Sequence, residues 1–173
     1  ENAYLLFKEA IALARELAES DYNEYRIESR DGWDSTDNQL NKYQKMHRPI
    51  LEKWREATEK EDYQIVPIAR MSEESDITTV YASRVLVRWC QIEIEHLTNI
   101  GKPADALPWL RASFRCSGLV TRRTPKIGRF VGAAFFAISA NSTAKWMQHP
   151  DLTRDQLLDL LAVVQASARL VAR

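Results

Sequence analysis

Residues 101–120 read GKPADALPWLRASFRCSGLV, and this stretch decides the fold that the sequence predicts. Gly101 can end a helix in the left-handed conformation, and Pro103 just beyond it favours a new segment rather than continuation. Apolar side chains then return at helical spacing, at Ala106, Leu107, Leu110 and Phe114. The stretch therefore predicts the turn and the second helix of a helical hairpin.

Similar signals on both sides of this hairpin predict about six helices in one domain spanning residues 1–173. The other five begin after the cap residues Asn2, Thr36, Ser75 or Asp76, Thr124 and Thr153. Gln156 stands three residues after Thr153, which predicts a capping box. Residues 20–38 and 61–76 are expected to connect helices. Because several connections are short, we expect an all-α fold of antiparallel hairpins, as a bundle or a short helical array.

The composition agrees with a helical globular domain. The chain has 173 residues, of which 45% are apolar, and only five are Gly and six are Pro, which disfavours an all-β fold. Lys and Arg balance Asp and Glu at 24 each, so the net charge favours no polyanionic partner. No transmembrane segment is recognisable, and the two ends suggest a trimmed piece of a longer chain.

The spacing of apolar residues also predicts which helix faces are buried. We expect the helix that begins after Thr36 to continue through Pro49 with a kink. We expect the helix that begins after Thr124 to lie at the centre of the domain, because its surface is rich in glycine and alanine. The core face expected for the third helix comprises Val80, Val85, Trp89, Ile92 and His96, and that of the last helix comprises Leu157, Leu160, Leu161 and Val164.

The region 86–118 resembles one tetratricopeptide repeat. Gly101 stands at the turn, Ala106 at the small position of the second helix, Leu110 where an aromatic residue is usual, and Ser113 where alanine is usual. The first helix departs from the motif at Cys90, Glu93, Ile94 and Leu97. One repeat-like hairpin is covered without a second clear copy, so the resemblance implies a TPR-like hairpin rather than a peptide-binding array.

A second resemblance covers most of the chain. It rests on ENAYLLFKEA (1–10), GKPADAL (101–107), RFVGAAFFAISA (129–140) and HPDLTRDQLLDLL (149–161). These segments are similar to uncharacterised bacterial helical proteins that follow an N-terminal membrane anchor. The resemblance implies an extracytoplasmic, all-helical domain anchored by a segment outside this chain. It supplies no catalytic residue.

The residues that could carry chemistry form no recognisable catalytic or metal-binding motif, so we predict no catalytic residues, no metal and no cofactor. His96 stands three residues after Glu93 and could join it on one face as metal ligands, but two further ligands would be needed. We expect instead that His96 lies at the core edge, that Glu93 faces water and that His47 lies in the core. Cys90 and Cys116 could pair, although buried free thiols are favoured.

The sharpest feature is an asymmetry of charge. No acidic residue occurs between Ala106 and Pro150, and this span contains the candidate anion-binding residues Arg111, Arg115, Arg122, Arg123, Lys126 and Arg129. They could bind phosphate, nucleic acid or acidic lipid. Alternatively they pair internally with the eight acidic residues of 16–37, which is the interpretation that we favour.

These patterns favour a non-enzymatic protein-interaction or scaffold module with a protein partner. One alternative is polyanion binding, to nucleic acid or acidic lipid, through the arginine cluster at residues 111–129. A second is an enzyme with an unrecognised helical active site, in which His96 and acidic groups would converge on a cleft.

Overall fold

The computed structural model of this chain describes residues 3–17, 38–60, 73–123 and 126–172. These residues form six α-helices and no strand, which confirms the prediction of an all-α fold. The helices are α1 (Ala3–Leu17), α2 (Asn38–Glu59), α3 (Glu73–Asn99), α4 (Pro103–Arg123), α5 (Lys126–Trp146) and α6 (Arg154–Val171). The loop expected over 20–38 and most of the connector expected over 61–76 lie outside the described residues.

The turn between α3 and α4 forms where the sequence predicts it. Gly101 has a φ of 75°, in the left-handed region that glycine adopts without strain. The amide of Lys102 donates to the Leu97 carbonyl at 2.8 Å, and the amide of Gly101 donates to the Thr98 carbonyl at 3.2 Å. This pair of bonds is the Schellman motif, which satisfies carbonyls at the end of α3. Pro103 then occupies the first position of α4.

Helix α4 lies at the centre of the fold. It contacts α2, α3, α5 and α6. The residues expected to point inward, Ala106, Leu107, Leu110 and Phe114, are buried, and so are Ala112, Cys116 and Val120 on the opposite side. A helix that is buried on most of its sides belongs to the interior of a domain, although the side with Arg111, Arg115 and Leu119 is half-buried. The prediction that α5 is the central helix is therefore wrong.

The contact between α4 and α5 depends on small side chains. The Oγ atoms of Ser113 and Ser139 lie 2.5 Å apart, and the Thr121 hydroxyl donates to the Ser117 carbonyl at 2.9 Å. Gly132 faces this part of α4 so closely that an added Cβ atom would meet the Thr121 hydroxyl and lie 2.8 Å from the Ser117 carbonyl oxygen. The two helices could not approach this closely with a larger residue at position 132.

The alanines of α5 that suggested a central position lie on the outside of the domain. Ala133, Ala137, Ala140 and Ala144 are exposed, whereas Gly132, Phe135, Ser139 and Ser142 face the core. Small residues occupy both faces of this helix. The sequence pattern therefore did not indicate which face packs against α4.

Helix α2 is continuous through Pro49, as predicted, and it buries His47, Ile50, Leu51 and Trp54. Of the core face predicted for α3, Val85, Trp89, Ile92 and His96 are buried, and the Val80 side chain lies outside those described. Trp146, at the end of α5, donates its indole N–H to the Pro103 carbonyl at 2.7 Å. This bond connects the end of α5 to the start of α4.

The start of α6 matches its prediction, but its buried face differs. Thr153 and Gln156 form the predicted capping box. Leu160 is buried and Val164 is half-buried, whereas Leu157 and Leu161 are 37% and 48% exposed. Leucines surround this helix on several sides, and the side turned to α4 is the one that carries Leu160 and Ser167. The predicted four-residue core stripe is therefore wrong for Leu157 and Leu161.

Substitution of Gly132 by alanine tests the close packing of α4 and α5. The methyl group would collide with the Ser117 carbonyl oxygen, which belongs to the backbone and cannot rotate away. Alanine gains about 1 kcal/mol of helix propensity, but overpacking of this kind costs about 1–3 kcal/mol. We therefore expect a net loss of up to about 2 kcal/mol in the free energy of unfolding, measured by urea denaturation.

Gly118→Ala is the matched control. An added Cβ atom at Gly118 would lie 2.8 Å from Cδ1 of Leu170, the tip of a flexible side chain that can move aside. We expect the free energy of unfolding of this variant to remain within about 1 kcal/mol of the wild-type value, because helix propensity offsets the adjustment. Equal losses in the two variants would contradict the packing described for Gly132.

Candidate functional site

The first two residues of the predicted arginine cluster share one face of α4, and this face is turned towards α6. Arg111 forms an ion pair with Asp159 of α6. Arg115, one turn later, is half-buried beside the same helix. Internal pairing therefore occurs at Arg111, with a carboxylate of the last helix. The acidic residues 16–37, which were the expected partners, lie outside the described residues.

The remaining members of the cluster lie around the connection from α4 to α5. Arg122 and Arg123 end α4, and Lys126 begins α5, but the side chains of these three residues lie outside those described. Arg129 follows in the first turn of α5, and its side chain is exposed. An anion-binding surface formed by all six residues remains a prediction.

A groove opens where α2 and α6 both lie beside α4. Its volume is about 390 Å³, within the range of small-ligand pockets. The lining residues are Thr58 and Lys60 at the end of α2, Arg115 and Leu119 of α4, and Ala162, Val163, Ala166, Ser167 and Leu170 of α6. We call this cavity the Arg115 groove.

The charge in the Arg115 groove is entirely positive. No acidic side chain is among the described residues that line it. Arg115 is half-buried against the apolar wall, and Lys60 stands at the exposed end of α2, where it also pairs with Glu56 at 3.3 Å. An apolar wall with cations on one side suits a ligand that combines an apolar body with an anionic group.

A second surface feature is the exposed side of α5, which we call the outer face. Phe130 is 79% exposed, the largest exposed fraction among the large apolar side chains that the structure describes. The outer face consists of Phe130, Ala133, Ala134, Ala137, Ala140, Asn141 and Ala144. The sequence contains these residues at helical spacing, but we had assigned the alanines to the interior.

A buried carboxylate lies between α2 and α3. Glu93, which was expected to face water, is 0% exposed, so that expectation is wrong. The Nε atom of Arg48 lies 3.7 Å from its Oε1 atom and 3.3 Å from the carboxylate of Glu52. Neither oxygen of Glu93 accepts a hydrogen bond from the described residues. Burial raises the pKa of Glu93, Arg48 partly offsets this effect, and Glu52 adds to it.

Two buried histidines lie on α2 and α3, the helices on either side of the Glu93 carboxylate. His96, on the same helix as Glu93, is buried, and its pKa is lowered first by burial and then by Arg48 and Lys102. His47 is buried edge-on against the ring of Trp89, as expected for a core histidine. Among the described residues, no three His, Cys, Asp or Glu side chains are placed to hold a metal ion. Neither Glu93 nor His96 lines the Arg115 groove.

Cys90 and Cys116 are buried thiols that form no disulfide, which confirms the favoured prediction. The Cys90 thiol donates to the Trp109 carbonyl at 3.3 Å. Burial raises the pKa of Cys90 well above its ordinary value, and Glu93 adds to the effect. A thiol in this environment stays protonated and is a poor nucleophile.

Comparisons with known proteins give no further assignment. No protein family, no curated protein and no solved structure matches the chain. The tetratricopeptide resemblance therefore stays a prediction. Within the described part of the chain, no helix combines the length and the apolar character needed to cross a membrane.

Glu93→Gln tests the perturbed carboxyl group. Because the folded-state pKa of Glu93 is raised, the folded protein binds this proton more tightly than the unfolded chain does. Wild-type stability therefore falls as the pH rises from about 4 through the raised pKa, whereas glutamine does not ionise. We expect the free energy of unfolding of E93Q minus that of wild type to increase between pH 4 and pH 8.

Urea denaturation at a series of pH values measures this difference. Titration of His96 contributes in both proteins and cancels, because its pKa shift arises from burial, Arg48 and Lys102 rather than from Glu93. A difference that is constant across the range would show that the pKa of Glu93 is not raised.

Proposed function

We propose that this chain is a protein-interaction module that binds an amphipathic helix of a partner protein along the outer face of α5. The observation that carries the proposal is the exposure of Phe130, which leaves 79% of a large aromatic side chain in water. Burying a phenylalanine in an interface contributes about 2 kcal/mol, and aromatic residues are typical anchors of interfaces.

The alanines that follow Phe130 favour a helix as the bound element. They continue the outer face for four turns, to Ala144, without a side chain that projects far from the backbone. A partner helix can approach such a surface closely and place its own large apolar side chains against it. Ridges of a second helix therefore fit this face better than a loop or a flat sheet.

The charge around the outer face selects the chemistry of the partner. Arg129 and Lys145 stand on opposite edges of the face, and no acidic residue occurs between Ala106 and Pro150. Lys145 is held by the Glu95 carboxylate at 2.9 Å. Because Glu95 already balances Lys145, the edge that selects the partner is the one with Arg129, and acidic residues beside the apolar stripe of a helix complement it. A second copy of this chain would instead bring basic residues together.

Site-specific photo-crosslinking tests the proposal. Phe130→p-benzoylphenylalanine places a photoreactive group on the outer face. Irradiation of cells that naturally produce the protein then crosslinks this group to the molecule that is bound at the outer face. Mass spectrometry then identifies the linked peptide. We expect a segment of another protein with helical apolar spacing and acidic flanks. Gln165→p-benzoylphenylalanine, at an exposed position of α6, is the control for random collisions.

Charge variants at Arg129 test whether the bound segment is acidic. Arg129→Glu converts an attraction at the edge of the face into a repulsion of about 1 kcal/mol, which corresponds to about fivefold less adduct. Arg129→Lys preserves the charge and should retain the adduct. The proposal fails if position 130 gives no more adduct than position 165. It also fails if the adduct contains nucleic acid, lipid or a second copy of this chain.

A further inference from the structure

We infer that the Arg115 groove binds an aliphatic carboxylic acid of medium chain length, with the acyl chain along α6 and the carboxylate at Arg115. This inference concerns a different site from the outer face of α5 and does not depend on the proposed protein partner. It rests on the shape of the groove, on the apolar character of one wall and on the sign of the charge at its other side.

The wall formed by α6 suits an unbranched apolar chain. Ala162, Val163, Ala166 and Leu170 present only aliphatic groups, and they follow one another along one side of the helix. The distance from Ala162 to Leu170 along the helix axis is about 12 Å, from a rise of about 1.5 Å per residue. This length is close to that of an extended ten-carbon chain.

The wall formed by α4 and the end of α2 supplies the charge. Arg115 is half-buried, so its guanidinium interacts with an anion more strongly than a fully exposed arginine does. Its planar fork can donate two parallel hydrogen bonds to a carboxylate. Lys60 also lines the rim, but it pairs with Glu56 at 3.3 Å, so Arg115 is the main group for the carboxylate. Thr58 is not required for this recognition, because its hydroxyl donates to the Arg55 carbonyl at 2.7 Å.

Arg111 lies next to the groove on the same face of α4, but it does not compete with Arg115 for the ligand. Arg111 lies one turn before Arg115 and forms its ion pair with Asp159. The structure therefore distinguishes two arginines that have equivalent positions in the sequence pattern. One holds α6 against α4, and the other lines a cavity without an acidic neighbour among the described lining residues.

Calorimetric titration of the purified chain with decanoate tests this inference. Decanol and decyltrimethylammonium have the same chain length, and they replace the carboxylate by a neutral and a cationic group. We expect saturable binding of one decanoate, at least tenfold weaker binding of decanol, and no saturable binding of the cation. No saturable decanoate binding up to millimolar concentration, or equal binding of the three probes, would overturn the inference.

Three variants locate the site. Arg115→Gln removes the charge and should weaken decanoate binding at least tenfold, as expected for loss of a hydrogen-bonded ionic contact. Ala166→Phe fills the groove from an exposed position of α6 and should abolish binding while the core stays intact. Arg84→Gln removes an exposed arginine of α3 outside the groove and should leave the affinity unchanged. Wild-type affinity in A166F, or equal losses in R115Q and R84Q, would overturn the inference.

Discussion

Close packing around α4 is the constraint on which the rest of the structure depends. This helix is enclosed by α2, α3, α5 and α6 on most of its sides, and the side with Arg111 and Arg115 is half-buried. Small residues allow the close approach of its neighbours: Gly118 faces α6, and Ser117 faces Gly132 of α5. The buried serine hydroxyls there remain hydrogen-bonded, at Ser113 to Ser139 and at Ser117 to the Phe114 carbonyl.

Both candidate surfaces follow from this arrangement. Helices α2 and α6 lie on α4 without closing over Arg115, and the space between them is the Arg115 groove. Helix α5 uses one narrow face against α3 and α4, which leaves Phe130 and the alanine stripe outside. The same packing accounts for Arg111, whose side chain meets Asp159 because α6 crosses that face of α4. The local sequence alone does not show that Arg111 is ion-paired whereas Arg115 lines the groove.

The parts of the fold that depend on local chemistry could be predicted from the sequence. The left-handed turn at Gly101 and the capping box of Thr153 and Gln156 each depend on a few neighbouring residues, and both form as expected. The spacing of the apolar residues of α4 correctly predicted the side of this helix that points inward. The sequence did not identify which face of α5 and of α6 is buried. Helix α5 has small residues on two sides and α6 has leucines on several, so more than one face of each helix could have packed against the core. Periodicity defines a face but does not identify its neighbour.

Glu93 shows the same limit for a polar residue. A glutamate in a helix is normally placed towards solvent, but Arg48, 45 positions earlier in the sequence, approaches Glu93 because α2 packs beside α3. No local pattern signals this contact, and the carboxylate becomes fully buried. Sequence reasoning also placed the arginine cluster opposite the acidic residues 16–37, whereas the partner of Arg111 is on α6. Contacts across long sequence separations determined each of these outcomes.

Native-state hydrogen exchange tests most directly whether α4 is the centre of the fold. If α4 is the most enclosed helix, its middle amides, from Leu110 to Ser117, should exchange only through global unfolding and be the slowest in the protein. Amides of α5 from Ala133 to Ala144, on a helix with an open side, should exchange faster through local opening. Slower exchange in α5 than in α4 would contradict the account and would place α5 at the centre instead.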